Sequence, residues 1–246
     1  MNYLTIVYNI KALSNNMCSQ ICSHMDKYEN RQYNYYFALV NEIYKGLALC
    51  CDAIEIQAYS QIGTLIRQLI EQVATAKIII TNEKVLSAYS LFAKAKLFSL
   101  QHNNDNCELD KLYVASSLSK REKGSKKNFY SLGWLESLGV KDISPESLIK
   151  VAELTDLYNW RSFCNNFVHS SLTFLNFVPD GVSHLIEDFI YLIAVLCDVI
   201  SCSYHNFTGF KFVVNGKDLY QEFRKEFMTI NDHLKNYNNC ENDAIK

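Results

Sequence analysis

The chain has 246 residues, of which 49% are hydrophobic and 20% charged, and its formal net charge is -2 at pH 7. This balance is typical of a globular protein with a substantial core. The net charge of -2 excludes a protein that holds nucleic acid by general electrostatic attraction, because such proteins carry a clear basic excess. With only 2 Pro and 8 Gly, the chain lacks the turn residues that a sheet-rich protein of this size needs, so long helices are expected.

Four helices are predicted in the first part of the chain. The first runs from about Tyr3 to Tyr28, with a break near Ser14–Asn16. The second covers about Tyr33–Ala58, where apolar residues recur at three- and four-residue steps. Gln61–Ile80 follows as a strongly apolar third helix. Asn82 is a plausible N-cap for a fourth helix that ends near Ser99.

The middle of the chain is predicted to contain loops and one shorter helix. His102–Glu108 is polar and loop-like, and Leu109–Leu118 has a helical pattern. The basic run Lys120–Lys127 contains Gly124 and Ser125, so an exposed surface loop is expected there. A local contact with RNA is the alternative interpretation of this run.

The clearest helix start in the chain is Ser144-Pro145-Glu146, because Ser caps free amides, Pro suits the first turn and Glu favours the positive end of the helix dipole. That helix is expected to continue to about His169. Pro179-Asp180 opens another helix that ends near Tyr204. Phe210–Val214 has strand character and is followed by an Asn-Gly turn, so a small hairpin can form near residues 210–217.

The final elements are a helix over residues 218–234 and an Asn-rich tail, 235–246, which is expected to be frayed. No internal repeat and no long linker divides the chain. The sequence therefore predicts an all-α protein, a bundle of about six to eight helices that forms a single domain over residues 1–246.

A reducing, cytoplasmic location is expected from the cysteines and the apolar segments. The nine Cys are an odd number, and most lie inside apolar helical patterns, where a free thiol behaves as a small hydrophobe. Met1–Ile10 lacks the cationic start of a signal peptide. The most apolar stretch, Phe189–Cys197, is far too short to span a bilayer, so no membrane association is expected.

Motifs for common cofactors and metals are not found in the sequence. There is no Gly-rich phosphate loop, nucleophile elbow or paired-His zinc motif. Cys18, Cys22 and His24 lie close together, as do Cys197, Cys202 and His205. Neither group has the paired spacing of a structural zinc site, so both are interpreted as core or surface residues, with no metal and no cofactor.

The first candidate functional pair lies in the third helix. Arg67 and Glu71 are four residues apart and share one face, and the small residues Gly63, Thr64 and Ala74 near that stripe would let another helix approach closely. A charged pair in so apolar a helix is expected to be partly buried and paired. The pair acts either as an internal clamp between helices or as the lining of a pocket for a small molecule or nucleotide.

The second candidate segment contains Arg161, Asn165 and His169 at four-residue steps, with Asn166 beside them. On a helix, Arg161 and His169 would lie about 12 Å apart along the axis, a distance that a nucleotide could bridge. The dipole at a helix C-terminus favours the charged form of a His, and a His in that place can transfer a proton near neutral pH. A simple helix cap is the alternative role for His169.

This segment resembles the signature of the HEPN superfamily, whose members are helical bundles with an Arg, a polar residue and a His near the end of one helix. More narrowly, the chain is similar to bacterial HEPN-like proteins that pair an Arg-x-x-x-Glu helix with a later Tyr…Val-His-Ser segment. The matching residues here are Arg67 and Glu71, Tyr158, and Val168-His169-Ser170. The similarity covers about residues 33–204.

The resemblance implies a metal-independent ribonuclease that acts as a homodimer, with the motif of each subunit lining a shared cleft. His169 would handle the 2′-hydroxyl or leaving-group proton, Arg161 would hold the scissile phosphate, and Asn165 or Asn166 would orient them. The implied product is a 2′,3′-cyclic phosphate. Many such proteins belong to toxin–antitoxin or antiviral defence systems.

The spacing departs from the usual motif, which leaves four to six residues between Arg and His, whereas seven separate Arg161 from His169. Three explanations follow from this difference. The helix is distorted, another residue such as Arg67 replaces the motif Arg, or the protein is a non-catalytic helical subunit that binds a protein partner in a defence or regulatory complex.

Overall fold

The computed structural model describes residues 3–25, 32–101, 132–168 and 182–244. Its elements, in chain order, are α1 Tyr3–Met25, α2 Gln32–Glu55, α3 Tyr59–Ile79, α4 Glu83–Gln101, a 3-10 helix Gly133–Leu138, α5 Pro145–Val151, α6 Leu157–Val168, α7 Val182–Thr208, β1 Val213–Val214, β2 Lys217–Asp218 and α8 Leu219–Ala244. The predicted all-α bundle is confirmed.

The bundle is organised around α3. This helix packs against α2, α5, α6 and α7, while α2 also packs against α1, and α8 lies against α1. Each long helix turns an apolar stripe inward, because buried residues recur at three- and four-residue steps. The stripe of α3 is made of Ile62, Ile66, Leu69, Ile70 and Val73, all buried in one continuous core.

Two predicted helix starts are confirmed by their capping contacts. Asn82 is the residue directly before the first residue of α4. Its side-chain oxygen accepts a hydrogen bond from the Val85 amide at 2.9 Å. Ser144 Oγ accepts from the Ser147 amide at 3.2 Å, with Pro145 in the first turn of α5. Both side chains satisfy amides that the first helical turn leaves without a carbonyl partner.

The prediction of one helix from Ser144 to His169 is wrong in one respect, because the helix is interrupted between α5 and α6. Glu153 adopts a left-handed conformation with φ 57°. The Glu153 and Leu154 amides then donate back to Lys150 and Ile149, each at 3.0 Å, which closes the end of α5. Lys77 of α3 donates to the Ala152 carbonyl at 2.6 Å and so ties this turn to the bundle.

The expected break near Ser14–Asn16 is also wrong, because α1 is continuous from Tyr3 to Met25. Leu13 and Met17, one turn apart on its buried face, are fully covered by the core. Tertiary packing on this face therefore overrides the weak helix preference of the polar residues between them.

The hairpin expected near residues 210–217 is confirmed over Val213–Asp218. Val213 pairs with Asp218 and Val214 with Lys217, in antiparallel register. The turn residues Asn215 and Gly216 both have positive φ, 52° and 78°, as a tight two-residue hairpin requires. Asp218 then caps α8 by accepting from the Tyr220 and Gln221 amides, and the helix continues through Ala244, beyond the predicted end at Leu234.

Several predicted features lie outside the described residues. They are the loop at 102–108, the helix at 109–118, the basic run at 120–127, His169 with the two serines that follow it, and the helix start at Pro179-Asp180.

Candidate functional site

The side chains of Arg67, Glu71 and Arg161 form a cluster where α3 and α6 meet, called here the α3–α6 charge cluster. Arg161 Nε donates to Glu71 Oε1 at 2.7 Å, and Arg161 Nη2 lies 2.6 Å from the same oxygen. Short hydrogen bonds between two charged groups are stronger than neutral ones. This contact joins two segments that lie 90 positions apart in the chain.

A glycine allows α6 to approach α3 this closely. A Cβ placed on Gly63 would lie 2.5 Å from ring carbons of Phe167, a distance that no side chain tolerates. Phe167 is buried, and its ring also contacts Phe163 and Phe189. The expectation that small residues on this stripe of α3 admit a second helix is confirmed at Gly63.

Arg67 is only weakly satisfied within the cluster. Its Nη2 is 3.8 Å from Glu71 Oε1, which is too long for a hydrogen bond, although the two charges attract each other. Its Nε is buried and has no hydrogen-bond partner. A buried donor without an acceptor is costly, and because this nitrogen is covered, an anion could contact Arg67 only through the exposed part of its side chain.

The side chains of Arg67 and Arg161 also differ in how far they are exposed to solvent. The Arg161 side chain is 11% exposed, whereas those of Arg67 and Glu71 are 33% and 30% exposed. Arg161 is therefore held between helices, and Arg67 is open to solvent on part of its surface. With two guanidinium groups and one carboxylate, the cluster carries a local charge of about +1 at neutral pH.

The clamp interpretation of Glu71 is supported, but its main partner is Arg161 and not Arg67. Sequence periodicity placed Arg67 and Glu71 on one face because they belong to one helix. The stronger contact crosses between helices, and its only sequence signal was that both α3 and α6 carry a charge within an apolar pattern. Pairing those charges required the position of α6 against α3.

The other predicted site residues lie along α6. Asn165 is half-buried, Asn166 is exposed, and Tyr158 is half-buried and packs against the core. The helix is continuous through Val168, so its described part does not shorten the spacing between Arg161 and His169. The structure thus brings together Arg67, Glu71 and Arg161, while His169 lies outside the described residues.

The histidines of the two cysteine and histidine groups noted in the sequence contact other residues of the bundle. His24 is buried, and its Nδ1 lies 2.6 Å from the Tyr204 hydroxyl. His205 Nδ1 lies 2.7 Å from the Phe210 carbonyl oxygen. Within the described ranges, no group of three or more His, Cys, Asp or Glu residues is arranged to hold a metal ion.

Comparison with known proteins yields no relative. No protein-family model, no curated protein and no solved structure matches this chain. Among the helices of the described residues, none combines the length and the apolar character needed to cross a membrane.

Proposed function

We propose that this protein is a HEPN-like, metal-independent ribonuclease. The observation that supports the proposal is the contact between Glu71 and Arg161, because it joins the Arg-x-x-x-Glu helix to the helix that precedes His169. These are the two segments that the resemblance pairs. The proposed enzyme is a cytoplasmic homodimer. It acts on RNA in a toxin–antitoxin or antiviral defence system.

In this proposal Arg67, and not Arg161, contacts the scissile phosphate. Arg161 is mostly buried and uses its Nε and Nη2 on Glu71, whereas the Arg67 side chain is one-third exposed and can be reached from solvent. Arg161 is then a positioning residue that fixes α6 against α3. This choice agrees with the alternative in which another arginine replaces the motif residue.

His169 supplies the acid–base chemistry of the proposed reaction. The 2′-oxygen of the ribose bonds to phosphorus while the bond to the 5′-oxygen breaks, which leaves a 2′,3′-cyclic phosphate and a 5′-hydroxyl. One proton leaves the 2′-hydroxyl and one reaches the 5′-oxygen, and His169 handles one of these two transfers. Asn165 or Asn166, on the turn before His169, orients the substrate.

The test is incubation of purified protein with total RNA in the presence of a chelator, beside the His169→Ala variant. Cleavage by the wild type and its loss in a folded variant are expected. Retained cleavage in the folded variant would remove His169 from the mechanism, and no cleavage by the wild type would contradict the ribonuclease proposal.

The second candidate is a non-catalytic helical subunit that binds a protein partner. The burial of Arg161 in its pair with Glu71 favours this candidate, because a motif arginine used only as a clamp does not need a substrate. It predicts no cleavage of any RNA and a stable complex with a protein encoded nearby.

A further inference from the structure

A recess opens where the starts of α1 and α3 and the end of α2 meet the first part of α7, called here the α1–α7 recess. Its volume is about 520 Å³. Sites for small organic ligands typically have volumes of about 300–1,000 Å³, so the recess has room for such a molecule. None of the three residues of the α3–α6 charge cluster lines it.

The lining of the recess is mostly apolar. Ile54 and Ile190 are only 5% and 3% exposed, which makes them its most buried members. The other apolar members are more exposed, and they are Tyr3, Leu4, Tyr59 and Ile186. The apolar body of a ligand would cover aliphatic and aromatic surface that solvent otherwise contacts, and this burial favours binding.

The charges on the lining are all negative. Glu55 and Glu187 line the recess, and none of the described residues that line it is basic. Glu55 contacts Lys11 Nζ at 3.1 Å, but the same ammonium lies 2.7 Å from Asp52 Oδ1. One lysine therefore balances only one of these two carboxylates, and a net negative charge remains beside the recess.

The hydroxyl of Tyr3 reflects the same negative surroundings. Its pKa is raised by burial first and then by the negative charges of Glu187 and Asp188. Since α1 and α3 begin near the recess and α2 ends near it, the helix ends together contribute about half a positive charge. The two full carboxylate charges on the lining outweigh this contribution.

We propose that the α1–α7 recess binds a small organic cation, a protonated amine attached to an apolar body. The amine would face the carboxylates of Glu55 and Glu187, and the apolar body would lie on Ile54 and Ile190. The faces of the tyrosine rings add attraction for a cation. An anion of the same shape would be repelled, and a neutral analogue would gain only the apolar contacts.

The test uses three probes that share an indole ring and a two-carbon spacer. Tryptamine is a cation, tryptophol is neutral and indolepropionate is an anion. Isothermal titration calorimetry of the full chain measures the Kd of each. Tryptamine is expected to bind with a Kd below about 1 mM and at least about tenfold more tightly than tryptophol, because only tryptamine pairs with the carboxylates. Indolepropionate is expected to bind more weakly than tryptophol.

Two variants of the lining test the site itself. Leu4→Arg places a cation at the mouth of the recess and should weaken tryptamine binding at least about tenfold. Leu4 is 55% exposed, so the fold should tolerate this change. Glu187→Gln should weaken tryptamine binding and leave tryptophol binding unchanged, because it removes a charge and keeps the shape of the side chain.

The matched controls lie beyond the other end of α7. Val213→Arg changes an apolar residue of β1 that is 47% exposed. Glu222→Gln changes a carboxylate in the first turn of α8. Both variants should bind tryptamine like the wild type, and thermal melts establish that all four variants are folded.

A tryptamine Kd above about 1 mM would overturn the inference, and so would equal Kd values for the three probes. Folded Leu4→Arg and Glu187→Gln variants that bind tryptamine as tightly as the wild type would also overturn it. Because the recess and the α3–α6 charge cluster share no residue, the inference goes beyond the proposed function, and its failure would leave the ribonuclease proposal unaffected.

Discussion

The pair formed by Glu71 and Arg161 is a partly buried contact in which one carboxylate oxygen satisfies two donors of one guanidinium. Paired charges in such places add little net stability when compared with apolar residues, yet the removal of one partner leaves the other charge uncompensated. The two side chains therefore depend on each other, and a single substitution should reveal this.

Glu71→Ala should lower the free energy of unfolding by about 2 kcal/mol, because Arg161 stays buried without its acceptor. Glu71→Gln should lower it less, since the amide oxygen can still accept a hydrogen bond. Urea denaturation followed by circular dichroism measures both changes.

The control for this comparison is the exposed pair of Glu42 and Lys45, whose charged atoms are 2.7 Å apart. Glu42→Ala should change the free energy of unfolding by no more than about 0.5 kcal/mol, because surface ion pairs contribute little. A loss in Glu71→Ala no larger than that in Glu42→Ala would contradict the clamp role.

The buried cysteines were predicted from their apolar surroundings, and Cys50, Cys51, Cys164 and Cys197 are buried as free thiols. Burial raises the pKa of the Cys51 and Cys164 thiols to about 12, and it also raises the pKa values of Cys50 and Cys197. A raised thiol pKa lowers the fraction of reactive thiolate at neutral pH.

Alkylation with iodoacetamide at neutral pH should therefore distinguish these residues. Exposed Cys22 should be modified in the native protein, whereas Cys51 and Cys164 should react only after denaturant is added. Peptide mass spectrometry measures the rates. Equal native rates at Cys22 and Cys51 would show that the helix carrying Cys51 does not pack as described.

At the scale of elements, the close contact between α3 and α6 depends on Gly63. Gly63→Ala should lower the free energy of unfolding by about 1–3 kcal/mol, since the new methyl group would meet the buried Phe167 ring. The same substitution elsewhere in a helix interior would gain up to about 1 kcal/mol from helix propensity. Chemical denaturation measures the change.

The matched variant is Gly46→Ala in α2. Its added methyl would lie 2.8 Å from Leu69 Cδ2, the end of a flexible side chain that can move aside. Its loss of stability should therefore be smaller than that of Gly63→Ala. Equal effects of the two substitutions would mean that the approach of α6 to α3 is not limited by the glycine.

The sequence predicted helix starts better than helix ends. Asn82 and Ser144 carry capping side chains, and both begin helices as expected. The end of α5 has no such signal, because the left-handed position is occupied by Glu153 where a glycine is usual. Its turn is secured by Lys77 from another helix, a contact that no local pattern contains.

For the whole molecule, the all-α class and the core stripes could be predicted because apolar periodicity is local and strong along each long helix. The candidate site could be predicted only in part. Arg67 and Glu71 were placed together by their spacing, but the contact to Arg161 depends on how two distant helices pack.

We propose that the α3–α6 charge cluster serves RNA cleavage, with Arg67 as the contact to phosphate. The most direct test is a cleavage time course on end-labelled RNA in chelator, comparing the wild type with Arg67→Ala and His169→Ala after thermal melts show that all three are folded. We predict that the wild type produces 2′,3′-cyclic phosphate ends and that each variant loses at least about a hundredfold in rate, a loss typical of removing a charge-stabilising or acid–base group. A folded Arg67→Ala variant that cleaves at the wild-type rate would contradict this claim.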